Sequence, residues 1–324
     1  MNSIATEART SGASGPAESG RAGGDRFGPH RARRRPGRVD RRVASWWWVV
    51  PAVVLTVGIQ YFGVAAGSVF AFTDWKGAGA FRFVGVDNFV AAFQSPATVQ
   101  ALWNTLFLAL CFVVLTNVLG LALAVSLNRV LKTRYLMRVL IFMPVVLSPL
   151  AVAYIWKFIF QPNGPLNGLL RSLGLDSWAV AWLGDPSTAI WTIVVVVVWQ
   201  NIGLTMVIYL AGLANVPPEL EEAAAVDGAS AWARFFRVVL PLLRPTVVIA
   251  SALTLIQGLR IFDHVLALTG GGPFNATQTL ATLVYKETFV NSEFGYGSAL
   301  SLILTLLITV AAILQVTLLR QRED

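Results

Sequence analysis

Six stretches of this chain are apolar for far longer than a soluble fold requires: Trp46 to Phe72, Leu106 to Leu127, Val139 to Trp156, Ile190 to Leu213, Val247 to Leu268 and Ala299 to Leu319. A helix needs roughly 20 such residues to cross about 30 Å of hydrocarbon. Five of the six contain no Asp, Glu, Lys or Arg; the fifth carries Arg260, Asp263 and His264. Burying such groups in lipid costs on the order of 3 kcal/mol each, so that run is the one to search for function. On one continuous helix these three residues fall at i, i+3 and i+4, on a single face. The pattern predicts an all-α integral membrane protein with six transmembrane helices.

Positive residues set the orientation, because Lys and Arg are retained on the cytoplasmic side. Ten of the 25 lie in residues 1–42, and more follow at Arg129, Lys132, Arg134 and Arg138, at Arg234, Arg237 and Arg244, and at Arg320 and Arg322. The alternate connections carry only Lys76, Arg82, Arg171 and Lys286, with Lys157 at a span edge. Both termini are therefore expected in the cytoplasm. Trp46, Trp47, Trp48, Trp75, Trp103 and Trp191 fall at expected span ends, where amphipathic rings collect at the lipid interface.

Composition agrees. Charged residues make up 13%, about half of what soluble globular proteins carry, which is too little to cover a water-facing surface. Residues 1–42 are rich in Arg, Gly, Ser, Ala and Pro and too poor in large apolar side chains to fold, so they read as a disordered basic tail. Its Arg pairs resemble an export signal or a nucleic-acid arm. Export cores run only about 7 to 15 residues, however, and here a much longer run and five others follow. A solvated tail lying near anionic lipid is the preferred reading, with no nucleic-acid partner. Residues 43–324 form the six-span domain. The single cysteine, Cys111, lies in an apolar run and excludes a disulfide framework, and two histidines, His30 and His264, give no metal centre. Without a Gly-Lys dipeptide there is no phosphate-cradling loop, so ATP chemistry has to come from a partner.

The most informative connection runs from 215 to 245. Pro217 and Pro218 suit a helix start, and Glu219, Glu221 and Glu222 complement the positive end of its dipole. Ala223, Ala224 and Ala225 give that helix a thin face that another backbone could approach. Gly228, after Asp227, permits the left-handed turn that ends it. Ser230 is a candidate N-cap for a second helix, in which Trp232, Phe235, Phe236, Val239 and Leu240 share a face and which Pro241 and Pro245 break. On periodicity alone, two amphipathic helices lying on the membrane surface account equally well for the segment.

Read as Glu222-Ala223-Ala224, Asp227-Gly228-Ala229, Phe235-Phe236 and Leu240-Pro241, the string resembles the EAA loop of importer permeases in the ATP-binding-cassette superfamily. The resemblance implies a type I importer permease architecture. Its cytoplasmic coupling helix would sit in a cleft of an ATPase subunit, with Glu222 making polar contacts, Ala223 and Ala224 packing closely, and Gly228 making the turn. Phe262-Asp263, then Leu268-Thr269-Gly270-Gly271-Gly272-Pro273, Thr279-Leu280 and Tyr285 resemble the maltose and glycerol-3-phosphate branch, and within it the first permease of the heterodimer. Asp74-Trp75 and Phe83-Val84-Gly85-Val86-Asp87-Asn88-Phe89 also look like this branch. Taken alone, Thr269 to Pro273 reads only as a helix C-cap and stop. The implied partners are a second permease, two cytoplasmic ATPase subunits that bind ATP and Mg, an extracytoplasmic solute-binding protein, a sugar and membrane lipid. The chain itself needs no cofactor and no catalytic residue. The implied setting is the bacterial inner membrane.

A path for sugars needs groups that replace water contacts. Trp199, Gln200 and Asn201 interrupt the fourth span, and Thr254, Gln257, Gly258, Arg260 and Asp263 mark the fifth; the resemblance puts substrate between these two spans. Two readings of Gln200 and Asn201 stand, substrate contact and hydrogen bonding between helices. For Arg260 and Asp263 an ion pair at a subunit interface or gate is preferred to direct sugar binding, and His264 reads as a satisfied interface residue. Asn275-Ala276-Thr277 matches a glycosylation sequon without consequence here. The competing class is an ion-coupled secondary transporter, which typically shows repeated halves and paired intramembrane carboxylates. An intramembrane enzyme would need a nucleophile with its base, or a metal cluster.

Overall fold

The computed structural model describes residues 49–128 and 132–320, so the basic tail, Trp46, Trp47, Trp48, Arg129 and Arg322 lie outside the described residues. Contacts divide the chain into two units, Met1–Val54 and Leu55–Asp324. In the first, Val49–Val54 are the described residues and Val53 donates to the Val49 carbonyl as in a helix. The second unit carries the fold. Among the described residues it is helical, with one isolated antiparallel bridge, Thr73 to Phe83.

Its helices in chain order are α1 (Phe62–Phe70), α2 (Asp87–Gln94), α3 (Pro96–Asn128), α4 (Arg134–Val146), α5 (Pro149–Ile159), α6 (Pro165–Ser172) and α7 (Pro186–Leu213). After the informative connection come α8 (Pro218–Val226), α9 (Ala231–Leu242), α10 (Arg244–Leu259), α11 (Asp263–Leu268), α12 (Leu280–Tyr285) and α13 (Phe294–Arg320). Val50–Phe70, Pro96–Asn128, Pro186–Leu213 and Phe294–Leu318 are each long and apolar enough to cross a membrane; counting each of two bent pairs as one crossing brings the number to as many as six.

Two expected spans are not single rods. The third run is broken: α4 and α5 meet at 99°. Pro149 is the cause, since its ring drives the residue before it out of the helical region, and Ser148 (ψ 135°) and Leu147 (ψ 144°) are extended. The fifth run also ends early. Its helix stops at Leu259, Arg260 caps it, and α11 restarts at Asp263.

The unbroken rods α3 and α7 pack along each other and form the frame. At ~1.5 Å per residue, the 33 residues of α3 extend about 50 Å, well beyond the hydrocarbon. Trp103 and Trp191, both exposed, lie one to two turns inside the N-terminal ends of these helices, which extend past the apolar runs they border. Asp185 caps α7, accepting from the Ser187 hydroxyl (2.6 Å) and backbone N–H (2.8 Å), which hold its carboxyl below the usual carboxylate range. Gly203 lets α7 lie on the backbone of α4: a Cβ there would come within 2.3 Å of the Ile141 carbonyl oxygen. Arg138 of α4 donates to the Leu127 carbonyl (2.8 Å) near the end of α3. At the opposite end, Asn88 donates to the carbonyls of Ala71 (2.9 Å) and Thr73 (2.8 Å), and Asp74 accepts from the Arg82 N–H (2.6 Å). This accounts for the Asp74 and Asn88 positions of the motif as loop fasteners.

Gly203→Ala is expected to destabilise the purified protein by about 1 to 3 kcal/mol through overpacking. Gly168→Ala, where nothing lies within 4 Å, should be neutral or slightly stabilising. Thermal unfolding in detergent distinguishes the two.

Candidate functional site

The connection between α7 and α10 folds as a helical hairpin. Pro217 is extended, Pro218 opens α8, and Glu219 and Glu221 occupy its first turn. The helix closes through Asp227 N–H to the Ala223 carbonyl (3.0 Å) and Ala229 N–H to the Ala224 carbonyl (3.0 Å), with Gly228 left-handed at φ 79°. Ser230 caps α9 by accepting from the Ala233 N–H (3.3 Å). Glu222 and Ala223 are exposed, Ala224 and Ala229 half-buried, and Val226 is 88% exposed, so the thin face points away from the rest of the chain.

The second helix buries only part of the apolar face its residues were expected to share. Val239 is buried and Phe235 and Leu240 are half-buried, but Trp232 and Phe236 are exposed, their rings tilted against each other with centroids 4.5 Å apart. The reason is a widened turn, Phe235–Val239, in which Leu240 N–H reaches back to the Phe235 carbonyl. Pro241 has no N–H for the carbonyl four residues earlier, so the turn opens to accommodate its ring. Pro241 therefore lies within the helix instead of ending it. The chain bends by 71° at Leu243, which is fully buried, and Pro245 opens the next helix. Between the hairpin and α3 and α7 lies a cavity of about 960 Å³ lined by Val118, Leu121, Val125, Glu221, Trp232 and Phe236, among others.

The residues expected along a path divide into two groups. Gln200 is buried, with both amide atoms engaged: its Nε2 donates to the Leu147 carbonyl (2.9 Å) and its Oε1 lies 2.6 Å from His264 Nε2. Because the amide oxygen can only accept, His264 is the donor. Thr254 is buried, donates to the Ala250 carbonyl (2.9 Å) and accepts from Asn117 (2.8 Å), whose Oδ1 accepts from Tyr209 (2.8 Å). Gly258 lies against Ala109 of α3, where a Cβ would sit 3.0 Å from its Cα. These three join helices. Asn201 is half-buried and donates within α7 to the Val197 carbonyl (2.8 Å). Trp199 is 39% exposed and edge-on to Trp156, and Gln257, Arg260 and Asp263 are exposed. The expected single face of Arg260, Asp263 and His264 does not form, because the chain leaves the helix at Arg260 and restarts at Asp263; no salt bridge joins Arg260 to Asp263.

Asn117, Tyr209 and Asn104 were not picked out from the sequence, although single polar residues in apolar runs are the signal for interhelical bonding. Asn104 of α3, buried, donates to the carbonyls of Ala276 (3.0 Å) and Gln278 (2.9 Å) and fastens the Thr269–Gln278 loop. Gly270, at φ 63°, closes α11 through bonds to the Val265 and Leu266 carbonyls, as the C-cap reading expected. The Thr269 and Thr277 hydroxyls lie 2.7 Å apart, and Phe274 stands 94% exposed at φ 51°.

A family model described as "binding-protein-dependent transport system inner membrane component" matches residues 116–323. The multiple sugar-binding transport system permease protein MsmF of Streptococcus mutans is 35% identical over 88% of this chain and 98% of its own length. The probable starch degradation products transport system permease protein AmyD of Thermoanaerobacterium thermosulfurigenes is 32% identical over 86% of this chain and 95% of its own. A crystal structure of a bacterial alginate ABC transporter in complex with an alginate pentasaccharide-bound periplasmic protein contains a chain with the same fold: TM-score 0.74, 24% identity, covering 83% of this chain and 91% of that one.

Asn104→Leu leaves the buried Gln278 carbonyl and the part-buried Ala276 carbonyl without this donor, at about 1 to 3 kcal/mol for a buried group left unsatisfied. Chymotrypsin cleavage after Phe274 should then be markedly faster than in the unsubstituted protein, with cleavage elsewhere unchanged.

Proposed function

Because the chain belongs to the family of binding-protein-dependent transport system inner membrane components, we propose that it forms one half of the translocation path of an ATP-binding-cassette importer for a carbohydrate. The observation that carries this reading is the outward-facing alanine surface of α8, joined by the Gly228 turn to α9, which meets α10 at 71° across the buried Leu243. A partner ATPase closing on ATP and Mg presses on Glu222, Ala223, Ala224, Asp227, Gly228 and Ala229. The hairpin passes that force through Phe235, Leu240 and Pro241 to α10. This chain supplies no ATPase site of its own. Its partners are a second permease subunit, two cytoplasmic ATPase subunits and an extracytoplasmic solute-binding protein.

Carbohydrate is the favoured cargo because relatives similar over most of their length are named for sugars and starch products. Trp199, Asn201, Gln257, Arg260 and Asp263 are the side chains proposed to meet it, since they retain exposure within the chain; Gln200, Thr254 and Gly258 shape the path from behind. The positive-residue pattern places both termini and the hairpin in the cytoplasm, with residues 1–42 as a separate basic tail and 43–324 as the permease domain.

Glu222→Lys and Gly228→Pro test the coupling. Proline fixes φ near −65°, against the 79° observed at Gly228. A loss of about 1.4 kcal/mol in docking lowers ATPase capture about tenfold, with uptake of radiolabelled sugars falling in parallel. Undiminished capture and uptake reject the reading. Sidedness is checked with Val226→Cys in a Cys111→Ala background: an impermeant maleimide should label it in inside-out vesicles and not in right-side-out ones.

A further inference from the structure

The interruptions within the third and fifth apolar runs are tied to one side chain. The third breaks at Leu147–Ser148 and the fifth at Arg260–Phe262, and Gln200, midway along α7, donates to Leu147 at the first break and accepts from His264 just past the second. Gln200 is 3% exposed and His264 8%, so both bonds lie in the protein interior.

The packing divides at the same level. One apolar cluster contains Ile193, Val194 and Val196 to Val198 of α7 with Val152 and Ala153 of α5 and Val265, Ala267 and Leu268 of α11. The other contains Met206, Tyr209 and Leu213 of α7 with Leu243 and Ala250 at the α9–α10 end and Ile141 of α4 packed against it. Gln200 lies between these two sets of α7 residues. Lys157 of α5 also donates to the Ala267 carbonyl of α11 (3.1 Å), so α5 and α11 form one outer pair. The inner halves α4 and α10 pack with the end of the chain that carries the hairpin. A break without a cross-tie would let the inner halves turn while the outer pair stayed behind.

We propose that Gln200 is a positioning residue for transport, whose amide locks the break in the third crossing to that in the fifth so that inner halves moved by the hairpin carry α5 and α11 with them. The proposal rests on the importer reading, and the experiment separates the two.

The complete complex, with its second permease and ATPase subunits, is labelled in a Cys111→Ala background with two spin-label pairs, and ATP with orthovanadate is the trigger. Ile249→Cys with Val118→Cys reports an inner half against the frame; Tyr154→Cys with Trp103→Cys reports the outer pair against it. All four positions are exposed. In the otherwise unsubstituted complex both distances shift. Gln200→Leu leaves the Leu147 carbonyl and the His264 N–H unpaired; the inner shift should persist while the outer shift falls severalfold, and His264→Leu should do the same. His264→Gln, which keeps a donor, should retain both shifts. The proposal is overturned if Gln200→Leu shifts both pairs like the parent, or if it abolishes both in an assembled complex. It is equally overturned if Gln200→Leu and His264→Leu both fail to assemble, because the pair then serves folding alone. If the parent complex shows no inner shift, the importer reading itself has failed, and this proposal with it.

Discussion

Lipid offers no partner to a bare peptide group, and the structure is organised around that constraint. An unbroken helix meets it internally; every interruption has to be closed by a side chain from elsewhere. Here each closing residue can be named. Gln200 answers Leu147, Lys157 answers Ala267, Asn104 answers the loop after α11, Thr279 answers Ile261 at 3.2 Å, and Arg138 answers Leu127. The polar residues scattered through the apolar runs are thus mostly engaged with backbone, and those left exposed stand out against them.

That division separates unbroken rods from interrupted crossings. The rods α3 and α7 run without a break and hold each other; the crossings on either side are interrupted, so they have places at which to bend. Glycines serve the frame where it meets the bent crossings. Gly203 admits the backbone of α4, and Gly258 lies on Ala109, so these contacts are made by main chain and small side chains that have few alternative rotamers. The hairpin is the contrasting region, with Val226, Trp232 and Phe236 in the open.

Much of this was legible in the sequence because it depends on neighbours along the chain. Pro218, the acidic first turn, Gly228 and Ser230 act within a few residues, and each does in the structure what its type predicts. Long apolar runs marked the crossings for the same reason. The breaks were harder to read. Pro149 stood in plain view inside the third run, but proline also occurs in continuous kinked crossings, and the side chain that closes the break, Gln200, lies 53 residues beyond Leu147, roughly 180 Å of fully extended chain. At Arg260 the helix stops without any proline, where Thr279 and His264 supply contacts that no local pattern announces. The widened turn before Pro241 re-aimed Trp232 and Phe236, because a simple helical period assumes that every turn has the same width. Substrate-path residues were the least legible, since the same amide can face a cavity or a carbonyl, and only packing decides which.

The buried bend at Leu243 also fixes a gear ratio. Ala231–Leu242 extends about 18 Å on one side of it and Arg244–Leu259 about 24 Å on the other, at ~1.5 Å per residue. On the importer reading, a rigid crank with arms of these lengths returns about a third more travel at its longer arm than its shorter arm receives, so a wide movement at one end demands one about three-quarters as wide at the other.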